Sequence, residues 1–211
     1  MNRARACLIG AAVLLLALAG GAAGCGGSGL DLARADAAYR AGDYELAITN
    51  YTSALAAEPG SFAARFSRGN AYYASGNYNA AIADFTLAIE LQPNNAAGYD
   101  ARGLAYLGKG EYYAATTDLT RAISMDPRNA SFYDHRGQAY NAIGQDDPAL
   151  VDYNKAVSLA PGDARVYSDR ADLYIKKGSL PLARADLNKV IELSRDAGLT
   201  ASARDRLARL K

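Results

Sequence analysis

The sequence predicts an all-α solenoid: five helix-turn-helix units followed by a C-terminal capping helix. Three observations predict it. Gly42, Gly76, Gly110, Gly144 and Gly178 succeed one another at intervals of 34 residues, and Pro59, Pro93, Pro127 and Pro161 keep the same interval. In register with them run two small-residue columns, Ala47, Ala81, Ala115, Ala149 and Ala183, then Ala54, Ala88, Ala122 and Ala156, the second closed by Val190. The 211 residues are half apolar and rich in alanine, the strongest helix former, so a packed helical chain rather than a disordered one is expected. A net charge of +1 with no long like-charge run gives no field that would draw the whole molecule to nucleic acid.

The chain opens with an address. Arg3 and Arg5 precede the apolar run Cys7 to Leu18, and small residues fill Ala19 to Gly24, the three-part plan of a secretory signal over residues 1–24. Its end, Ala22-Ala23-Gly24-Cys25, resembles the lipobox of bacterial lipoproteins, with Ala22 where leucine is usual. The resemblance implies acylation of Cys25, an exported protein, and attachment to the cell envelope. With Gly26 rather than aspartate after the cysteine, the outer membrane is favoured if the cell has one. Cysteine arithmetic agrees, because removal of Cys7 with the leader leaves Cys25 alone in an oxidising compartment. An uncleaved apolar anchor and a free Cys25 after ordinary cleavage are the alternatives. Residues 25–29 then form a short tether. Gly24 to Gly29 also spell G-x-G-x-x-G, but the preceding run is leucine and alanine and no second strand follows, so no nucleotide is expected there.

From residue 28 the units run 28–61, 62–95, 96–129, 130–163 and 164–197. Within each, the glycine column ends the first helix in a left-handed cap, after which Asp43, Asn77 or Ser179 caps the second. The proline column ends the second helix, and Ser61, Asn95, Asn129 and Asp163 cap the next unit. Gly69, Gly103 and Gly137 mark a close approach of paired helices, expected opposite the first alanine column. Tyr72, Tyr106, Tyr140 and Tyr174, with Tyr51, Phe85, Leu119, Tyr153 and Leu187, read as core.

The third unit carries Tyr99-Asp100-Ala101-Arg102-Gly103-Leu104-Ala105-Tyr106, Gly110-Glu111-Tyr112, Ala114-Ala115, Leu119, Ala122 and Pro127, and this pattern resembles the tetratricopeptide-repeat (TPR) family. The resemblance covers about residues 28–197 and implies a right-handed solenoid. The ends depart from it, with Ala35 and Ala171 at the glycine position and Arg195 for the last proline. After Thr200, a candidate N-cap, Ala203, Leu207 and Leu210 make one apolar stripe on a solubilising cap over 198–211.

Arg34, Arg68, Arg102, Arg136 and Arg170 form another column, and Asp84, Asp118, Asp152 and Asp186, with Asn50, form its counterpart on the second helices. An inter-helix ion-pair ladder of small individual strength is expected. Chemistry is scarce. The single histidine, His135, lies one turn after Ser131, and Ser168 and Asp169 hold the matching places in the next unit. Nothing supplies an oxyanion hole, so neither catalysis, a metal nor a cofactor is expected.

The family resemblance implies a concave face lined by the first helices, and a function in binding other proteins or peptide segments of the envelope. Carried over residue by residue, that face presents Leu32, Tyr39, Phe66, Asn70, Tyr73, Asp100 and Leu104, then Asp134, His135, Gln138, Asp169 and Asp172. The first three units read as apolar and aromatic, the last two as polar and acidic. The family's carboxylate clamp finds a match only at Asn70, so an acidic C-terminal tail is not the expected ligand. A periplasmic small-ligand binder or enzyme with a site near His135 and Asp169 is the alternative function.

Overall fold

The computed structural model describes residues 27–210; the leader and Cys25 lie outside them. The described residues form eleven helices and no strand: α1 (Gly27–Arg40), α2 (Tyr44–Ala57), α3 (Phe62–Ala74), α4 (Tyr78–Leu91), α5 (Ala96–Lys109), α6 (Tyr112–Met125), α7 (Ala130–Ala142), α8 (Asp146–Leu159), α9 (Ala164–Lys176), α10 (Leu180–Leu193) and α11 (Ala197–Arg209). Among the described residues no helix is long and apolar enough to cross a membrane.

Local chemistry places these boundaries. The five column glycines have φ between 72° and 84°, the left-handed region that lets the chain reverse in two residues. Asp43 and Asn77 then accept from Leu46 N–H and Ala80 N–H, whereas Ser179 stands at the N-cap of α10 without a side-chain bond, its place strengthened by Pro181 in the first turn. Ser61, Asn95, Asn129 and Asp163 all cap through their side chains. The proline column has a further use: Tyr99, Tyr133 and Tyr167 each donate to the carbonyl of the proline six residues before them, at 3.2 Å.

Consecutive helices pack antiparallel in pairs, and each pair packs on the next. The odd helices also touch one another, α1 on α3, α3 on α5, α5 on α7 and α7 on α9. Closer spacing along the odd row than along the even row bends the array, and the odd helices line the inner side.

The side chains nearest the three column glycines are not the alanines expected opposite them. A Cβ on Gly103 would lie 2.8 Å from Leu119 Cγ, and those on Gly69 and Gly137 would lie 2.6 Å from Phe85 and 2.7 Å from Tyr153. The large side chains sixteen residues on therefore press against the glycines. The first alanine column is fully buried. In the end units, where alanine replaces the glycine, Ala47 shares a cluster with Ala35 and Ala183 with Ala171, as expected. Ala81 instead shares one with Ala101 and Ala105, and Ala115 with Ala139, on the following unit.

The ion-pair ladder is present and deeper than expected. Arg68, Arg102, Arg136 and Arg170 grip Asp84, Asp118, Asp152 and Asp186 through Nε and Nη2 at 2.7–2.9 Å. Each aspartate is buried, so these are not the weak exposed pairs of a solvated surface. Each Nη1 reaches back to Thr52, Thr86, Thr120 or Asn154 on the preceding unit. Arg34 is the exception: it is exposed and pairs with Asp31.

At the C-terminal end Asp196, not Thr200, is the N-cap of α11, accepting from Gly198 and Leu199 N–H, while the Thr200 hydroxyl donates to the Asp196 carbonyl. The helix thus starts one turn earlier than Thr200 implied. Ala203, Leu207 and Leu210 close over Ala171, Leu187 and Val190.

Gly103→Ala is expected to destabilise the protein by about 1–3 kcal/mol, because Leu119 is fully buried and has nowhere to retreat. Urea unfolding of parent and variant checks it; an unchanged midpoint would contradict the contact.

Candidate functional site

The inner row of odd helices brings most of the expected groove residues to one side, in two distinct environments. At the N-terminal end Leu32 and Phe66 are spent on packing. Leu32 lies against Ala54, Leu55 and Ala64. Phe66 stacks on Phe62 and tilts against Phe85, each at 5.5 Å between centroids. Tyr73 is 36% exposed, its ring 5.6 Å from that of Tyr78, and Tyr39 repeats this contact with Tyr44. Burial, then the nearby Tyr78 and Asp100, raises the pKa of the Tyr73 phenol. Leu104 is half-buried.

Between α1 and α3 a cavity of about 310 Å³ is lined by Asp36, Tyr39, Arg40, Tyr51, Ser67 and Asn70. Tyr51 belongs to α2, on the outer row, yet its phenol donates to Asp36 Oδ1 at 2.6 Å. Burial and this carboxylate hold the phenol well above its usual pKa. Sequence reasoning counted Tyr51 as core only. Its signal was the alternation of its column, in which Tyr51 and Tyr153 carry a hydroxyl and Phe85, Leu119 and Leu187 do not.

The second environment spans α5, α7, α9 and α11. His135 Nδ1–H donates to Asp100 Oδ1 at 2.7 Å, linking α7 to α5. Gln138 Nε2 donates to Asp134 Oδ2 at 3.2 Å on its own helix and to Asp169 Oδ2 at 2.8 Å on α9. Arg206 of α11 pairs with Asp172 and donates to Ser168 Oγ at 2.7 Å. The capping helix thereby occupies the last stretch of the inner face, a role that the stripe of Ala203, Leu207 and Leu210 did not disclose.

These bonds decide what the cluster can do. Ser168 serves Arg206 and His135 serves Asp100, so the serine, histidine and aspartate that share this face form no relay. Among the described residues no group of three or more His, Cys, Asp or Glu side chains is arranged to hold a metal ion. What remains is a set of shifted titrations. Burial, then the charge of Asp169, pushes Asp134 up to about 7. Burial also raises Asp169, partly countered by Gln138. For His135 burial works against the charged form, but the bond to Asp100 and the charges of Asp100, Asp134 and Asp169 outweigh it, and its pKa is raised.

A profile of the tetratricopeptide-repeat family matches residues 32–96 and 101–164, and a second matches 164–196. No curated protein matches the sequence. Among solved structures, a thermophilic TPR protein of Thermus thermophilus, TTC0263, is 25% identical, with 86% of this chain and 99% of that one aligned at a TM-score of 0.74. The MamA protein is 28% identical over 78% of this chain and 90% of that one, with a TM-score of 0.66. YrrB, a TPR protein with an unusual peptide-binding site, is 21% identical over 83% of this chain and 90% of that one, at 0.61.

The protonated Asp134 makes stability fall with rising pH. The folded chain keeps this proton up to about pH 7, while the unfolded chain releases it near 4, so stability is lost between those values and is level above them. Asp134→Asn removes the titration and is expected to raise stability at pH 8 by up to about 4 kcal/mol while changing little at pH 4. Thermal melts of both proteins across this range check it, and parallel curves would refute the assignment.

Proposed function

Because this chain belongs to the tetratricopeptide-repeat family, we propose that it is a protein–protein interaction scaffold of the bacterial cell envelope, anchored to a membrane through Cys25. Proteins of this fold are scaffolds for protein or peptide partners, and enzymatic activity is generally absent from them. The observation that carries the reading here is the unbroken inner face. Odd helices from α1 to α9 touch in succession, so a partner segment laid along them meets side chains from successive units without crossing a gap, as far as the stretch that α11 occupies. Tyr73 is exposed on it, and Asn70 faces the open cavity between α1 and α3.

The envelope part of the proposal rests on the leader, with Arg3, Arg5, the apolar run and Cys25 in lipobox position. A diacyl or triacyl anchor at Cys25 exceeds the two signals that stable attachment needs. Only Gly26 separates that residue from α1, so an anchor there would hold the first unit within a few ångströms of the bilayer surface.

Two outcomes test the parts separately. Cys25→Ser is expected to move the protein from the membrane to the soluble fraction and to leave the precursor uncleaved; unchanged fractionation and length would end the lipoprotein reading. Asn70→Ala and Tyr73→Ala are each expected to weaken a partner crosslinked in the native envelope by about 1–2 kcal/mol, roughly five- to thirtyfold, with helicity unchanged by circular dichroism. Phe66→Ala is the wrong probe, since its ring packs against Phe85 and its loss would lower stability along with any binding. If instead only substitutions on the even helices abolish binding, the inner face is not the working surface.

A further inference from the structure

At the joint between α7 and α9 two carboxylates share one neutral donor. Gln138 Nε2 supplies Asp134 Oδ2 and Asp169 Oδ2, and among the described residues no basic group forms an ion pair with either acid. The two nearest basic groups are committed, His135 to Asp100 and Arg206 to Asp172. Asp134 is only 7% exposed, and its Oδ1 has no hydrogen-bond partner. Native structures seldom leave a buried polar atom in that state without a water, an ion or another group to satisfy it.

We propose that this joint is an anchor site for a basic side chain, a lysine or arginine presented by a partner protein, whose cationic group bridges Asp134 and Asp169 in place of the Gln138 amide. The proposal deepens the scaffold reading and rests on it. Its first support is charge: the cluster holds the carboxylates of Asp100, Asp134, Asp169 and Asp172 against two basic groups, so Asp134 and Asp169 are left without a cation that one arriving group could bridge. Its second is the neighbouring joint, where the arrangement is complete. Arg206, in the same repeat column as Gln138, bonds Asp172 and Ser168, so a guanidinium fits this face when the chain supplies one. Gln138 is half-buried on an inner helix, and displacement of its amide frees Asp134 Oδ2 and Asp169 Oδ2 for the arriving group.

The bound cation also changes the proton balance. Asp134 is faced by His135 and Gln138 on its own helix, by Tyr153 from α8, and by Asp163 and Asp169 from the α9 segment, while Asp100 from α5 faces His135 and Arg206 faces Asp169. A cation favours the ionised acid, so each binding event releases a proton held on Asp134 below neutrality. Affinity therefore rises with pH up to about 7 and levels above it.

The test uses the full chain in detergent, immobilised, and four pools of twelve-residue peptides with degenerate flanks and a fixed central Lys, Arg, Ala or Glu. The Lys and Arg pools are expected to be retained at least about tenfold more than the Ala and Glu pools, and about tenfold more at pH 8 than at pH 6. Asp134→Asn and Asp169→Asn are each expected to reduce the Lys and Arg pools to the Ala level, and Asp147→Asn, on the exposed side of α8, to leave them unchanged. Spermidine titrated alone separates a free polyamine from a protein side chain; tighter binding of spermidine than of the Lys pool overturns the protein assignment. Equal retention of all four pools overturns the anchor and leaves the groove reading standing. Retention of none overturns both.

Discussion

The arginine–aspartate ladder is the constraint on which the remaining structure depends. One guanidinium carries five donors in a rigid plane, and here it ties its own helix to two others. Arg102 holds Asp118 through two parallel bonds, which fixes the two helices of its own unit, and its third contact reaches Thr86 on the unit before. It also lies over the Tyr99 ring at 5.9 Å. Because Asp118 is buried, an unmatched carboxylate there would cost several kcal/mol, far more than an exposed pair of the same length. A slip of either helix by one residue would leave that charge stranded, so the ladder fixes the register within units and between them. The first unit stands outside it, with Arg34 on Asp31 and Asn50 at the acid's position. Its helices are held instead by the small-residue contact of Ala35, Ala38 and Ala47 and by the phenol of Tyr51 on Asp36.

A fixed register makes close packing possible, and close packing gives the array its shape. Phe85, Leu119 and Tyr153 can press into Gly69, Gly103 and Gly137 only if the helices meet at the same level in every unit. The alanine column then lets the next unit approach, and the odd helices come into contact along the inner side. Local choices agree with this throughout: glycine where φ is positive, a side-chain cap at the start of each inner helix from α3 to α11, alanine where backbones crowd. That agreement across levels is what makes one arrangement much more stable than its competitors.

The periodic part of this was legible in the sequence, and the reason also sets its limit. A column repeated every 34 residues shows which positions share an environment, but not which other column they touch, since every spacing between two columns is constant. Gly103 was therefore expected against Ala115, when its contact is Leu119. The ladder's pairing was legible from opposite charge, while its burial was not, because accessibility depends on the three-dimensional curve of the array. Thr52, Thr86 and Thr120 stood in register and could have been read as the third member, had the arginines been asked where their last donor goes. At the C-terminal end, where the period fails, Thr200 was read as the cap, and the helix instead starts after Asp196, whose carboxylate accepts from Gly198 and Leu199 N–H.

The inner face escaped the sequence for the opposite reason, because its chemistry lies in what does not repeat. Asp36, Asn70, Leu104, Gln138, Asp172 and Arg206 occupy one column with five different residue types among six positions, and no period can say how they combine. A scaffold held rigid by its repeated residues is free to vary the others, since a change there disturbs no register. The molecule spends this freedom unevenly. Towards α1 it keeps an open cavity with phenol, amide and carboxylate groups; towards α11 its acids accept from Gln138 and from its own Arg206. On the proposed scaffold function, selectivity for a partner would come from the order of unlike joints along one curved surface, an order that a segment would have to match and that a uniform groove could not require.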